Sequence, residues 1–370
     1  MPTELPRRLL LGPGPSNVSP RVLEAMSRPL LGHLDPVFLE MMDSVKDRLR
    51  PLFGTDNAMT LPLSATGSAG MEACLVNLLE PGDAIVVGVA GVFGERMCEV
   101  ASRAGARVVR VEAEPGTVLG DDAMGDAIRK TRPRVVAFVH AETSTGALQP
   151  VTGIAAAARE VDALVVLDCV TSLGGLPVEL DRWGVDAAYS GTQKCLSCPP
   201  GLSPVSFNDR AVERVAGRQH KVQSWYLDIG LLAGYYGGGQ RVYHHTAPIS
   251  AIYGLDEGLR IIEEEGLEAR EARHRSAAKA LVEGLAQLGF APLVAEAHRL
   301  PMLSSMRLPD TILSRGEADV RKVLLLEHGI EVGAGLGKLA GSIWRIGLMG
   351  ENAQSESVER LLEALRKILA

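Results

Sequence analysis

The sequence predicts an α/β fold: a mainly parallel sheet covered by helices on both faces, followed by a smaller C-terminal α+β unit. Three observations predict it. Between about residues 64 and 207, short apolar runs alternate with helix-like stretches, as in strand–helix–strand units. The runs are apolar throughout instead of at every second position, which is how strands buried on both faces read. From about residue 258 the pattern shifts to charged helical stretches broken by a few short strands.

In chain order, Leu9-Leu10-Leu11-Gly12-Pro13-Gly14-Pro15-Ser16-Asn17 is apolar and then turn-rich, which predicts an extended arm crossing the surface of the main unit. The strand candidates that follow are 84–89, 108–111, 135–139, 163–168, 187–189 and 205–207, with helical stretches at 70–79, 95–104 and 153–160 among them. Gly237-Gly238-Gly239 marks a short loop. Residues 258–289 form a charged helical stretch carrying Ile261, Ile262, Leu267 and Leu281, expected to link a large unit to a small one. Beyond it come a strand at 304–308, a helix at 317–327, strands at 330–332 and 343–346, and a last helix at 357–369. In that helix Val358, Leu361, Leu362, Leu365 and Ile368 share one face. The expected division is an arm at 1–20, a large unit at 21–257 and a small unit at 258–370.

Composition narrows the function classes. The 370 residues are 46% hydrophobic and 22% charged, ordinary for a globular protein of about two domains. A formal charge of −7 and a pI of about 5.7 give no general basic footprint for nucleic acid. No apolar run reaches the ~18 residues of a membrane span. Met1-Pro2-Thr3-Glu4 does not open a signal peptide, and Lys367-Ile368-Leu369-Ala370 is not the peroxisomal address, so a cytoplasmic location is expected. The five cysteines (Cys74, Cys98, Cys169, Cys195, Cys198) are an odd number and do not read as a disulfide framework. Cys195-Leu196-Ser197-Cys198 has redox or zinc spacing, but no second pair exists, and small buried side chains are the plainer reading.

The stretch Tyr189-Ser190-Gly191-Thr192-Gln193-Lys194 puts a lysine just past a buried strand and a turn. Desolvation there lowers the amine's pKa and makes it a usable nucleophile and imine former. Ala163-Leu164-Val165-Val166-Leu167-Asp168 is a second buried strand ending in a carboxylate. A lysine for an aldehyde and an acid for a pyridinium nitrogen suit pyridoxal 5'-phosphate, while a structural salt bridge is the competing reading. Ser64-Ala65-Thr66-Gly67-Ser68-Ala69-Gly70 precedes a helix and reads as a phosphate cup or as a plain N-cap. Phe93 follows a strand and either stacks on a planar ring or packs in the core. In Tyr243-His244-His245-Thr246 the hydroxyls suit a phosphate, and the paired histidines lack an obvious third metal ligand. Arg345 lies inside an apolar strand and needs a carboxylate partner, structural or substrate.

Together these residues resemble the class V aminotransferases of fold type I, most closely the alanine–glyoxylate/serine–pyruvate group. Further landmarks are Asn77-Leu78-Leu79-Glu80-Pro81-Gly82-Asp83, Ser144-Thr145-Gly146, Leu173-Gly174-Gly175 and Pro200-Gly201. The resemblance implies a seven-stranded sheet with a small C-terminal domain, and pyridoxal phosphate as cofactor. It implies that Lys194 is the Schiff-base lysine and proton shuttle, and that Asp168 is the pyridinium partner. Val170 would lie under the ring and Phe93 over it, where animal members carry tryptophan. Thr143 would bind the phenolic oxygen, and Thr66, Gly67, Ser68 and Gln193 the phosphate. Tyr243 and Thr246 would reach the phosphate of the other subunit, implying a homodimer with shared sites. Arg345 would take the substrate carboxylate, and Gly32 and His33 would lie near the substrate mouth. The implied reaction is ping-pong transfer from alanine or serine to glyoxylate or pyruvate. Ureidoglycine–glyoxylate transamination is the alternative, and Tyr243 speaks for alanine or serine as donor. A class V desulfurase needs a reactive cysteine in the C-terminal third, and no cysteine follows Cys198. A non-enzymatic relative need not keep Lys194, Asp168 and Arg345 together.

Overall fold

The computed structural model describes residues 5–237 and 241–369. Gly238 and Gly239 of the expected loop, the opening Met1-Pro2-Thr3-Glu4 and the terminal Ala370 lie outside the described residues. The strands in chain order are β1 (Leu9–Leu11), β2 (Met59–Leu63), β3 (Ala84–Val89), β4 (Arg107–Glu112), β5 (Val135–Val139), β6 (Ala141–Glu142), β7 (Ala147–Leu148), β8 (Leu164–Asp168), β9 (Ala187–Tyr189), β10 (Ser203–Phe207), β11 (Ala291–Pro292), β12 (Leu303–Arg307), β13 (Ile330–Ala334) and β14 (Ile343–Gly347).

The large sheet has seven strands in the order β2-β10-β9-β8-β5-β3-β4. The pairs from β9 to β4 are parallel, and only β10 runs antiparallel to its neighbours β9 and β2. Every residue of β5 and β8 is buried, as the unbroken apolar runs require. Each Val or Leu so buried contributes about 1.5–3 kcal/mol of transfer free energy. Helices Gly67–Leu78, Val92–Arg103, Asp121–Thr131 and Thr152–Glu160 alternate with these strands. The edge strand β2 is a departure from the sequence reading. Pro62 cannot donate to a ladder and breaks the strand signature, yet an edge tolerates it.

A second sheet has the order β1-β13-β14-β12-β11. Here the N-terminal arm differs from expectation. Leu9 and Leu11 are buried in the second core, and β1 pairs in parallel with β13. Only beyond Gly12 does the arm reach the large sheet, where the Ser16 N–H donates to the Gln193 carbonyl at 2.9 Å. The expected single helical stretch is two helices, Ile249–Glu265 and Leu267–Ala286, parted at Gly266 with φ of 80°. The expected boundary between 257 and 258 falls inside the first of them. Ile252 to Ile262 pack on the large core, whereas Ala277 to Leu285 join the second core with Trp344, Leu361 and Leu365. Among the described residues no helix is long and apolar enough to cross a membrane.

Candidate active site

Ligands of such sheets bind beyond the carboxyl ends of the parallel strands. Lys194 and Asp168 lie there. One cavity of about 120 Å³ is lined by Gly67, Ser68, Phe93, Thr143, Asp168, Val170, Gln193 and Lys194, together with Met71, Arg96, Val139, Ala141, Thr171 and Tyr189. Eight sequence-predicted residues therefore meet at one place.

Asp168 closes β8 and is buried. Its Oδ1 accepts the Val170 N–H at 2.8 Å and its Oδ2 accepts the Tyr189 hydroxyl at 2.7 Å. Tyr189 reaches it because parallel pairing sets Asp168 opposite Tyr189. Burial pushes the carboxyl up to about 6, against the pull of those two hydrogen bonds. Lys194 follows the β9 turn. Its carbonyl accepts the Ser16 hydroxyl at 2.8 Å, and its Nζ donates to the Pro13 carbonyl. Burial brings the amine down to about 8, with Cys195 and Asp168 opposing. Gly14 is required here: its φ is +110°, and a Cβ would stand 2.5 Å from Lys194 Nζ.

Lys194 and Asp168 form no ion pair among the described residues, so the salt-bridge reading does not hold. They are a desolvated amine and a desolvated acid facing a shared space. Pyridoxal phosphate fits this arrangement on three counts. Among the described residues the acid makes no ion pair. The helix Gly67–Leu78 presents an N-terminus that Thr66 leaves without a side-chain cap. Gln193 lines the cavity, and its side-chain amide carries N–H donors suited to a phosphate.

Arg345 lies in β14 and is 7% exposed. Its Nε donates to the Ala334 carbonyl at 2.7 Å and its Nη1 to the Thr143 carbonyl at 3.2 Å. Among the described residues it has no carboxylate partner within ion-pair distance, so the structural-carboxylate reading does not hold. Burial lowers its pKa, with Glu142 opposing, but a guanidinium keeps its charge at any working pH.

Not every predicted residue lines this cavity. Thr66 occupies the N-cap position of the helix without a side-chain cap bond and is exposed. Tyr243 and Thr246 are exposed, with their hydroxyls 3.4 Å apart, and Gly32 is exposed as well. The His33 ring packs on Tyr243 at 5.2 Å between centroids. None of these four lines their own chain's cavity. The paired histidines bond to each other at 2.8 Å, and His245 bonds Ser64 at 2.7 Å, with no metal-binding cluster among the described residues. Cys195 and Cys198 are buried, their thiols pushed up by burial to about 11 and about 12, which suits packing rather than redox chemistry. Sequence reasoning missed Tyr189 and Pro13 as parts of the site. Gly14 was the available signal for Pro13, while Tyr189 needed the strand order.

A seven-stranded sheet flanked by helices, with a buried lysine and acid at its carboxyl edge, is the architecture of the fold type I aminotransferases. The chain belongs to the class V aminotransferases, whose "Aminotransferase class-V" profile matches residues 9–361. It is 41% identical over 367 residues to the alanine–glyoxylate aminotransferase of Oryctolagus cuniculus, covering 98% of this chain and 93% of that protein. The crystal structure of alanine–glyoxylate aminotransferase from Nostoc sp. superposes with a TM-score of 0.97 at 48% identity, covering 100% of this chain and 97% of that one. The ureidoglycine–glyoxylate aminotransferase of Bacillus subtilis superposes with a TM-score of 0.96 at 39% identity, covering 100% and 94%.

Proposed function

We propose that this aminotransferase binds pyridoxal phosphate and moves an amino group from alanine or serine to glyoxylate or pyruvate in two half-reactions. One observation carries the reading: Lys194 and Asp168 are both buried, share a cavity and leave each other unpaired. When bound, the cofactor supplies an aldehyde for amine exchange and a ring that accepts electrons. Lys194 Nζ, held near the Pro13 carbonyl, is neutral often enough near pH 8 to take and return the substrate's α-proton. Asp168, fixed by Tyr189 and Val170, presents its charge to the ring nitrogen. Phe93, Val170 and Thr143 line the cavity, where the first two would border the ring and Thr143 would bind its phenolic oxygen. The N–H groups of Gly67 and Ser68, with Thr66 and Gln193, would hold the phosphate. Arg345, without a carboxylate of its own, takes the substrate carboxylate and so aims the Cα–H bond.

The patch of Gly32, His33, Tyr243 and Thr246 serves the site of a partner subunit in a homodimer. Its support is that Tyr243 and Thr246 are exposed and do not line their own chain's cavity. The two cores support a large and a small unit that meet near Gly266 rather than at the expected boundary between 257 and 258. The acidic balance supports small-molecule substrates over nucleic acid, and we place the protein in the cytoplasm. Likeness to the Bacillus subtilis enzyme keeps ureidoglycine as a second donor to test. A half-reaction screen of L-alanine, L-serine and ureidoglycine, followed by glyoxylate and pyruvate, decides it. Alanine or serine reacting fastest supports the reading, and a preference for ureidoglycine overturns it.

A further inference from the structure

In Tyr243-His244-His245-Thr246 the outer residues project and the inner two are held. Tyr243 and Thr246 are exposed, whereas His244 is 7% exposed and His245 is half-buried. Trp225 stacks flat on the His244 ring at 4.3 Å between centroids. Tyr226 and Tyr235 each stand edge-on to the His245 ring at 5.3 Å. The two Nδ1 atoms face each other at 2.8 Å, so one carries the hydrogen and the other accepts it. His245 Nε2 meets the Ser64 hydroxyl at 2.7 Å, and the Tyr226 hydroxyl donates to the Ser64 carbonyl at 2.9 Å. Burial and the neighbouring His244 bring the His245 pKa down to about 4, so the ring is neutral at working pH and keeps one donor and one acceptor nitrogen.

Packing alone does not call for this arrangement. Apolar side chains would fill the same aromatic cage without the cost of desolvating two imidazoles. His244 Nε2 is even left buried without a hydrogen-bond partner, so the pair is not there for stability. What the hydrogen bonds add is direction, because a polar network fixes one geometry where an apolar cluster tolerates several. The residues so directed are Tyr243 and Thr246, on either side of the pair. The other end of the clamp is also informative. Ser64 follows β2 and stands two residues before Thr66, the N-cap position of the helix whose first N–H groups would hold the chain's own phosphate. The clamp ties the residues offered outward to the loop that leads into the inward cup.

Resting on the reading that Tyr243 and Thr246 serve the partner subunit's site, we propose that His245 and Ser64 are positioning residues acting across the dimer: they hold those two hydroxyls ready for the phosphate of the partner's cofactor. The loop that leads into one chain's phosphate cup thus supports the phosphate held by the other chain. A segment freed from Ser64 must be ordered anew at each binding event, and that entropy weakens its hold. The effect is confined to the phosphate, so pyridoxal, which lacks one, does not register it.

The test uses heterodimers of a Lys194→Ala chain with a chain that keeps Lys194, so that the bound-cofactor absorbance reports one site only. Cofactor-free heterodimers are titrated with pyridoxal phosphate and with pyridoxal. Ser64→Ala or His245→Phe on the Lys194→Ala chain is expected to weaken pyridoxal phosphate binding at the other chain's site about 5- to 50-fold, part of what two hydrogen bonds to a charged group contribute. Pyridoxal binding stays within about twofold. Ser64→Thr on the Lys194→Ala chain keeps the hydroxyl and returns the affinity to near native. His245→Phe moved to the chain that keeps Lys194 leaves that chain's site within about twofold of native. Equal weakening of both ligands makes the clamp a general structural element and overturns the proposal, as does an effect seen only when the substitution and Lys194 share a chain. Tyr243→Phe/Thr246→Ala on the Lys194→Ala chain separates this from the underlying reading. If it leaves pyridoxal phosphate affinity intact, the segment does not serve the partner, and reading and proposal fall together. If it weakens that affinity while Ser64→Ala does not, the reading stands and the clamp is refuted.

Discussion

Asp168→Asn probes the buried acid through stability as well as rate. In the cofactor-free protein the carboxyl rises from 3.8 to about 6, chiefly because burial strips its water. A folded-state pKa above the unfolded value favours folding only at low pH. Stability is then lost as pH rises through the window from 3.8 to about 6. At 1.36 kcal/mol per unit, the ionised acid costs the fold about 3 kcal/mol at pH 8 and roughly half that at pH 5, falling towards zero below pH ~4. Asparagine removes that cost. Its single carbonyl oxygen serves only one of the two donors, Tyr189 and Val170, and the lost bond costs about 1 kcal/mol. The variant is therefore expected to be more stable than native by about 2 kcal/mol at pH 8 and by less than about 1 kcal/mol at pH 5. Urea unfolding of both cofactor-free proteins at the two pH values measures this. The same variant, loaded with cofactor, should lose most of its turnover with L-alanine. A variant less stable than native at pH 8, or a difference that ignores pH, refutes the desolvated-acid argument. Near-normal turnover refutes the role of Asp168.

Two further predictions concern the substrate and the partner subunit. Arg345→Ala is expected to weaken the specificity constant for L-alanine by ~2–5 kcal/mol, roughly 30- to several-thousand-fold, with cofactor content and melting temperature nearly intact; a carboxylate-free amine loses little more, and unchanged alanine kinetics sinks the anchor. Mixing an inactive Lys194→Ala chain with an inactive Tyr243→Phe/Thr246→Ala chain is expected to restore activity in heterodimers, and silence despite proven heterodimers places each site within one chain.

How much of this was legible in the sequence depends on what each residue needs. Strands β3, β5, β8 and β9 could be read because burial on both faces demands apolar residues at every position. Strand β2 could not, since Pro62 hides it and only its edge position makes the proline acceptable. Leu9-Leu10-Leu11 read as an arm because nothing local says which sheet it joins; that is set by β13, far along the chain. Lys194 and Asp168 were legible as polar residues ending apolar strands. Tyr189 was legible as a strand residue but not as the donor to Asp168, which follows from the register of β9 on β8.

The central claim is that Lys194 forms the imine of a working aminotransferase, and borohydride tests it most directly. The protein is saturated with pyridoxal phosphate, reduced, digested and mapped by mass spectrometry, with and without prior exposure to L-alanine. The account predicts a yellow protein, a phosphopyridoxyl group on Lys194 alone, loss of that label after alanine, and neither colour nor turnover in Lys194→Ala. Label on another lysine, or undiminished label after alanine and every other amino donor, contradicts it.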